Sequence, residues 1–242
     1  MNPADAVPIV LLLLFSVALG IGGAVLWLAI RWNRQQKSLG THSLWANRAS
    51  RSPQRPILWL AIRSQDPTNV LKALSLSDAA PCSWGDGVAH ENRLFIAPQV
   101  RGWVLVTGKA LPDPADDVDT SFRFLRELSR KLGEVQFFCA DRLLHHHAWV
   151  RLEAGRVIRA YAWADVTLWN QGVKTAEENA LDLKSLGYGE EASIHWGMPD
   201  FLAANVEKIP QLAARWSLDP AEIAKRLPAH ALWITGRLSA RY

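Results

Sequence analysis

The sequence predicts an α+β protein: one N-terminal transmembrane helix, a basic linker, a mainly antiparallel sheet with helices packed on one face, and a short-helix C-terminal region. Three observations carry this prediction. Residues 8–30 form one uncharged apolar run, residues 57–180 alternate short β-rich runs with two helical ones, and residues 181–242 combine helix-start signals with prolines. A β-rich chain with a few helices of this kind is typical of a sheet covered by helices.

The apolar run at residues 8–30 reads PIVLLLLFSVALGIGGAVLWLAI, 23 residues without a charge. A helix rises about 1.5 Å per residue, so a run of this length crosses a hydrocarbon core of about 30 Å. A cleaved signal peptide is the alternative, but that class of segment has a basic first region and a shorter apolar stretch. The run therefore predicts a retained membrane anchor.

The residues that flank the run predict its orientation. Arg31, Arg34 and Lys37 follow it, whereas no Lys or Arg precedes it. Flanks rich in Lys and Arg stay in the cytoplasm, so we expect a single-pass protein of the inner (plasma) membrane with its N-terminus outside and its soluble domain in the cytoplasm. The same cations predict contact with anionic lipid, the alternative being that they only set the topology.

A stripe of small residues within the run predicts a helix–helix contact with a membrane protein partner. Ser16, Gly20 and Ala24 are spaced by four, and Gly23 lies beside them. Small residues at this spacing let two helix backbones approach closely in lipid. The alternative is chance, because glycine is common in membrane helices.

Charge is distributed unevenly between the linker and the rest of the chain. Of 27 Lys and Arg residues, six lie in the linker at 31–56, and of 23 Asp and Glu residues, one precedes residue 57, so residues 57–242 have a net charge of −1. A nearly neutral domain disfavours nucleic-acid binding. Two cysteines, Cys82 and Cys139, are too few for a disulfide framework. We expect free thiols, with a single bridge as the alternative.

Hydrophobic patterns between residues 57 and 180 predict individual elements. We predict strands at 57–63, 94–97, 103–107, 135–140, 148–153 and 157–163. The last two form a hairpin through Ala154 and Gly155. Helices are predicted at 67–74, capped by Asp66, and at 120–132, capped by Asp119 and ended by Gly133.

Helix-start signals predict that the chain becomes helical from about residue 175. Thr175 with Glu178, and Asp219 with Glu222, match the capping-box pattern. Prolines keep the helices short. We therefore expect residues 181–242 to form a helical extension packed on an α+β domain at 57–180.

Three consecutive histidines at 145–147 are the strongest signal of chemistry in the chain. Alternate residues of a strand face the same side, so His145 and His147 are expected to share a face, with Cys139 and Asp141 across the turn. Two histidines begin a zinc site, which needs three or four ligands. The alternatives are a metal-dependent enzyme built on the His145/His147 region and a polar strand entry without metal.

Other catalytic and cofactor signals are weak. The chain has no phosphate-binding loop, dinucleotide fingerprint or nucleophile elbow, so we expect no catalytic residue and no cofactor. Four tryptophans in or beside loop-like stretches are candidates for interface anchors, because large aromatic side chains dominate binding energy: Trp84, Trp163, Trp169 and Trp196. The alternative is that they close the ends of the core.

Several segments resemble an uncharacterised bacterial family of soluble domains. They are WLAI at 59–62, GWVLV at 102–106, GEVQF at 133–137 and RAY at 159–161, with WSLDP at 216–220 near the end of the chain. The resemblance covers about 57–180 and implies a shared fold. It carries over no site, because no activity is assigned to that family, and the membrane anchor departs from its pattern.

The functional class that the sequence favours is a membrane-tethered, non-catalytic protein-interaction module, an accessory subunit of a membrane protein complex. An immunity-type protein that binds and neutralises a toxin is one alternative. A metal-dependent enzyme is the other. The oligomeric state and the identity of the partner stay open.

Overall fold

The computed structural model of the chain describes residues 56–82, 92–190, 200–227 and 231–239, and we call these residues the folded domain. The predicted span at 8–30, the linker up to residue 55, Trp84 and Trp196 lie outside them. The small-residue stripe and the three flanking cations lie outside them as well.

Nine strands and five helices make up the folded domain. The strands are β1 Leu58–Arg63, β2 Leu76–Cys82, β3 Leu94–Ile96, β4 Trp103–Thr107, β5 Glu134–Ala140, β6 His147–Glu153, β7 Arg156–Ala164, β8 Val166–Gln171 and β9 Trp233–Leu238. The helices are α1 Pro67–Ala73, α2 Val118–Leu132, α3 Ala176–Ala180, α4 Asp200–Trp216 and α5 Pro220–Arg226.

All nine strands form one sheet in the order β2-β9-β3-β4-β1-β5-β6-β7-β8. Every neighbouring pair is antiparallel. The α+β class with a mainly antiparallel sheet is therefore confirmed. Strands β2, β8 and β9 were not predicted, and β9 returns from the end of the chain to lie between β2 and β3.

The first face of the sheet is mostly aliphatic and is covered by α1 and α2. Leu60 and Val106 from the central strands pack with Leu125 and Leu128 of α2, and each is at most 2% exposed. Val70 of α1 joins the same cluster. Burying each such side chain contributes on the order of 1.5–3 kcal/mol, so this face supplies a conventional apolar core.

The second face is covered as well, so the prediction that helices occupy one face is wrong. Trp59, Phe138 and Trp149 project from the sheet into a second cluster, where Ile209 and Leu212 of α4 contact them. The reason is visible in β1, whose buried residues run continuously from 59 to 62. A strand buried on both sides reads as an unbroken apolar run.

Most predicted boundaries agree with the structure, and one helix cap does not. Asp66 caps α1, Gly133 follows α2 with φ 90°, and Thr175 and Glu178 form the reciprocal capping box of α3. At α2, however, the cap is Asp117, whose side chain accepts a hydrogen bond from the Thr120 N–H at 3.0 Å. The prediction of Asp119 is wrong because the extended backbone of Asp117 already aims its carboxylate at the first free amides.

The described helices are all too short or too polar to cross a bilayer. This finding concerns α1 to α5 alone.

Candidate functional site

The histidine run divides between a turn and a strand. His145 is exposed in the turn between β5 and β6 and adopts a positive φ of 56°. His147 begins β6 and is 1% exposed. The expectation that both imidazoles share one face is therefore wrong, because strand alternation starts only at His147.

Both ring nitrogens of His147 are occupied by hydrogen bonds within the fold. Nε2 lies 3.1 Å from the side-chain nitrogen of Asn205 in α4, and Nδ1 lies 3.0 Å from the His145 carbonyl oxygen. The Asn205 amide is oriented by the backbone of Lys184, which donates to its oxygen at 3.0 Å and accepts from its nitrogen at 2.8 Å. Asn205 therefore donates to Nε2, and the Nδ1–H of a neutral imidazole donates to His145.

Burial keeps this imidazole neutral. Desolvation lowers the pKa of His147 from 6.5 to about 4, partly opposed by the bond to the His145 carbonyl. Its ring stacks on Trp149 and on Trp163, with centroids 5.8 Å and 5.3 Å away. A neutral ring held between two indoles fits a structural role at the contact between the sheet and α4.

A second buried polar group joins β7 to α3. The Arg159 guanidinium donates through Nε to both oxygens of Glu178 at 3.0 Å and 3.2 Å, and neither side chain is more than 2% exposed. Trp149 donates to the same carboxylate at 2.7 Å, and so does the backbone N–H of Thr175 at 2.8 Å. Nη1 of Arg159 donates to the Asn170 side-chain oxygen and to two backbone carbonyls. A buried charge pair is tolerated only when further hydrogen bonds of this kind support it.

The His147–Asn205 and Arg159–Glu178 groups lie on the second face of the sheet and bind the segment that covers it. Hydrogen bonds cross this contact from β6 and β7 of the sheet to α3, α4 and the 181–188 loop. Within the described ranges no group of three His, Cys, Asp or Glu side chains is placed to hold a metal ion. The arrangement thus positions buried polar groups for contacts between the sheet and the segment that covers it.

A small cavity lies beside His147 at one end of the sheet. Its volume is about 10 Å³, and Asp113, Cys139, His146 and Trp163 are among its lining residues. Space of this size holds about one water molecule. Burial raises the pKa of Asp113 to about 6, and the Asp116 and Asp141 carboxylates add to that effect.

Cys139 is a protonated core thiol. Burial first, then the Asp113 and Asp141 carboxylates, raise its pKa well above the ordinary value, which suppresses the thiolate needed for nucleophilic chemistry. Cys82 and Cys139 form no disulfide with each other, which agrees with the expectation from the sequence. Four strands separate Cys82 on β2 from Cys139 on β5, so at about 4.8 Å per strand they lie roughly 24 Å apart, beyond the reach of a disulfide.

The two described tryptophans among the interface candidates have different surroundings. Trp169 is 7% exposed, contacts Phe122 of α2 edge-on at 5.5 Å and donates to Gln171 at 3.2 Å. It offers little surface to a partner. Trp163 is half-buried beside His147, and its Nε1 has no acceptor among the described residues.

An open groove of about 520 Å³ lies at the opposite end of the sheet. Its lining residues are Arg63, Ser64, Asn69, Lys72, Ala73, Lys131 and Leu132. Two of its cations have partners in the fold: Arg63 pairs with Glu134 at 3.3 Å, and Lys131 donates to the Ala73 carbonyl at 3.3 Å. A cation at the last carbonyls of α1 stabilises that helix end, which accounts for Lys131 without a ligand.

Comparison with protein-family models, with curated proteins and with solved structures finds no match to this chain. The resemblance to the bacterial domain family therefore adds nothing to the argument about function.

Proposed function

We propose that the chain is a membrane-anchored, non-catalytic protein-interaction module that serves as an accessory subunit of a membrane protein complex. The observation that carries the proposal is the uncharged 23-residue run at 8–30, followed at once by Arg31, Arg34 and Lys37. Such a run inserts as a membrane helix, and such a flank stays in the cytoplasm. On this proposal the span, the basic linker and the folded domain follow one another along one polypeptide.

The contacts inside the folded domain support the non-catalytic part of the proposal. His147 and Glu178 are the polar side chains that most suggest chemistry. Both form hydrogen bonds to neighbouring parts of the fold. The adjoining cavity admits about one water molecule. In such a domain the buried polar groups stabilise the packing of the layers, and a partner is recognised by surface residues.

A pair of reporter fusions tests the anchor and its orientation. A reporter that is active only in the cytoplasm, fused after Tyr242, should be active, and one that requires the far side of the membrane should be silent. The matched control replaces Arg31, Arg34 and Lys37 by glutamine, which reduces the Lys/Arg bias next to the run and should shift activity toward the second reporter. Activity of the second reporter in the unaltered chain would contradict the orientation.

Metal analysis tests the rival function, a metal-dependent enzyme that uses the His145/His147 region. The full chain, extracted in mild detergent and dialysed against trace zinc, should carry no more metal than a His147→Gln variant. A stoichiometric metal that the variant lacks would favour the enzyme, since it would require His147 to exchange its bonds to Asn205 and His145 for coordination.

A further inference from the structure

Large apolar side chains are exposed together at one end of the sheet. Leu143 and Leu144 are 56% and 43% exposed in the turn between β5 and β6, Val166 is 41% exposed beside the turn between β7 and β8, and Ile57 is 40% exposed before β1. The pairs Ala140↔His147 and Ala164↔Val166 and the bond from the Ala140 N–H to the Ile57 carbonyl place all of them at the same end. We call this surface the apolar end.

The turn that presents the two leucines is firmly held. Asp141 Oδ1 accepts hydrogen bonds from the Leu143 and Leu144 N–H groups at 2.8 Å and 3.1 Å, and the Asp141 N–H donates to His146 at 2.9 Å. Arg142 in the same turn forms an ion pair with Glu207 of α4. The leucines are therefore exposed by a fixed backbone. Single exposed leucines are ordinary, but a group of exposed apolar side chains marks an interaction surface.

The apolar end is also acidic. Asp113, Asp116 and Asp141 lie close enough for their charges to interact, and the β7–β8 turn adds the exposed Asp165. The cation in the leucine turn, Arg142, is already paired with Glu207. A surface of leucines bordered by carboxylates complements a segment that is both apolar and basic.

The apolar end adjoins the linker in the sequence, and this indicates which kind of apolar, basic segment would bind there. Ile57 lies at the apolar end and directly follows the linker at 31–56 in the sequence. In the proposed topology the neighbouring cytoplasmic segments of membrane proteins are rich in Lys and Arg. Anionic headgroups, by contrast, are repelled by carboxylates.

We infer that the apolar end is the docking surface of the folded domain, and that it binds an apolar, Lys/Arg-rich cytoplasmic segment bordering a membrane span of the partner protein. This inference rests on the proposed function and deepens it. It names the surface and the chemistry of the partner.

Site-specific photo-crosslinking in intact membranes tests the inference. The full chain carries a photoreactive phenylalanine at Leu143 or, as the control, at Val173, which is 88% exposed after β8 at the opposite end of the sheet. We expect an adduct from position 143 whose mapped peptide is a Lys/Arg-rich segment next to a span of another protein, and no such adduct from position 173. Adducts only with lipid or with a second copy of this chain, equal adducts from both positions, or none would overturn it.

A double variant separates failure of the inference from failure of the proposed function. Leu143→Asp with Leu144→Asp should lower the yield of the adduct from a probe at Val166 by about tenfold or more, because the complex loses two leucines that the bound segment would bury. Val173→Asp should leave this yield unchanged. All variants should stay in the membrane fraction. An unaltered chain in the soluble fraction would refute the proposed function, whereas a membrane-bound double variant with an unchanged adduct would refute the inference alone.

Discussion

His147 is the residue whose role changes most between sequence and structure. In the sequence it is one of three histidines, but in the fold it is the one that is buried and hydrogen-bonded to α4 through Asn205. An imidazole held neutral in this way links the stability of the contact between sheet and helix to pH. Its exposed neighbour His145 contributes a backbone carbonyl to the arrangement.

Acid should weaken the fold through His147. The pKa of His147 is about 4 in the folded state, whereas the ordinary value of 6.5 applies to the unfolded chain. The unfolded chain therefore takes up the proton first as the pH falls. The stabilisation is complete above pH 6.5 and is lost progressively between pH 6.5 and pH 4, amounting to about 3 kcal/mol. Urea denaturation of the detergent-extracted chain at several pH values measures this slope.

Two variants isolate the contribution of His147 from that of Asp113. The raised pKa of Asp113, about 6, acts in the opposite sense, because the folded state then binds the proton first and gains stability as the pH falls below 6. His147→Gln should flatten the acid loss of stability and Asp113→Asn should steepen it. His145→Gln, which keeps the backbone carbonyl bonded to His147, should change it least. A His147→Gln slope equal to that of the unaltered chain would contradict the assignment.

The Arg159–Glu178 pair should show strong coupling in a double-mutant cycle. Glu178→Gln leaves a buried guanidinium without its counter-charge, and Arg159→Met leaves a buried carboxylate, so each should cost about 3–5 kcal/mol of unfolding free energy. The double variant should cost clearly less than the sum. The exposed pair Arg130–Glu127, whose nitrogen and oxygen are 3.2 Å apart, is the control. Additive losses at the buried pair would contradict the coupling.

At the scale of elements, the ends of α2 show how local signals operate. Gly133 ends the helix with a φ of 90°, and the Ser129 hydroxyl donates to its carbonyl oxygen at 2.6 Å. The start is set by Asp117, which accepts from both the backbone N–H and the hydroxyl of Thr120. Asp119 lies within the first turn, where its charge favours the helix dipole without capping an amide.

Replacing the two aspartates of α2 separately distinguishes cap from helix charge. Asp117→Ala should lower the thermal midpoint, because the Thr120 N–H loses its acceptor. Asp119→Ala should lower the midpoint by a smaller amount. Equal losses, or a larger one at Asp119, would restore the boundary that the sequence predicts. Thermal melts of the full chain in the same detergent make the comparison.

At the scale of the whole molecule, the sequence predicts a recognition stripe on the proposed span. In a helix, Ser16, Gly20 and Ala24 drift by only about 40° per step, so on the proposed span they form one face. Gly20→Ile should release the membrane partner without changing the membrane fraction, because the added bulk separates two closely packed backbones.

Gly22→Ile is the matched control for the stripe. It makes the same change about 200° away around the helix. Detergent extraction followed by quantitative co-purification measures both variants against the unaltered chain. If Gly20→Ile retains the same partners in the same yield as Gly22→Ile, the stripe is incidental and the folded domain carries all the recognition.

The sequence by itself determined the elements whose signals are local. The strands β1, β4, β5, β6 and β7 follow from short apolar runs, and the β6–β7 hairpin follows from Ala154 and Gly155, both at positive φ. Asp66 and Thr175 were recognisable as caps because a cap acts on amides two or three residues away. The class of the sheet followed from the order of these elements.

Only the tertiary structure decided which faces are covered and which side chains meet. The insertion of β9 between β2 and β3 depends on pairing across more than 130 residues, which no local pattern encodes. The same holds for the bonds from His147 to Asn205 and from Arg159 to Glu178, 58 and 19 residues apart. Burial on the second face makes His147, which suggested a metal site in the sequence, a structural contact, because desolvation and hydrogen bonding are properties of the assembled layers.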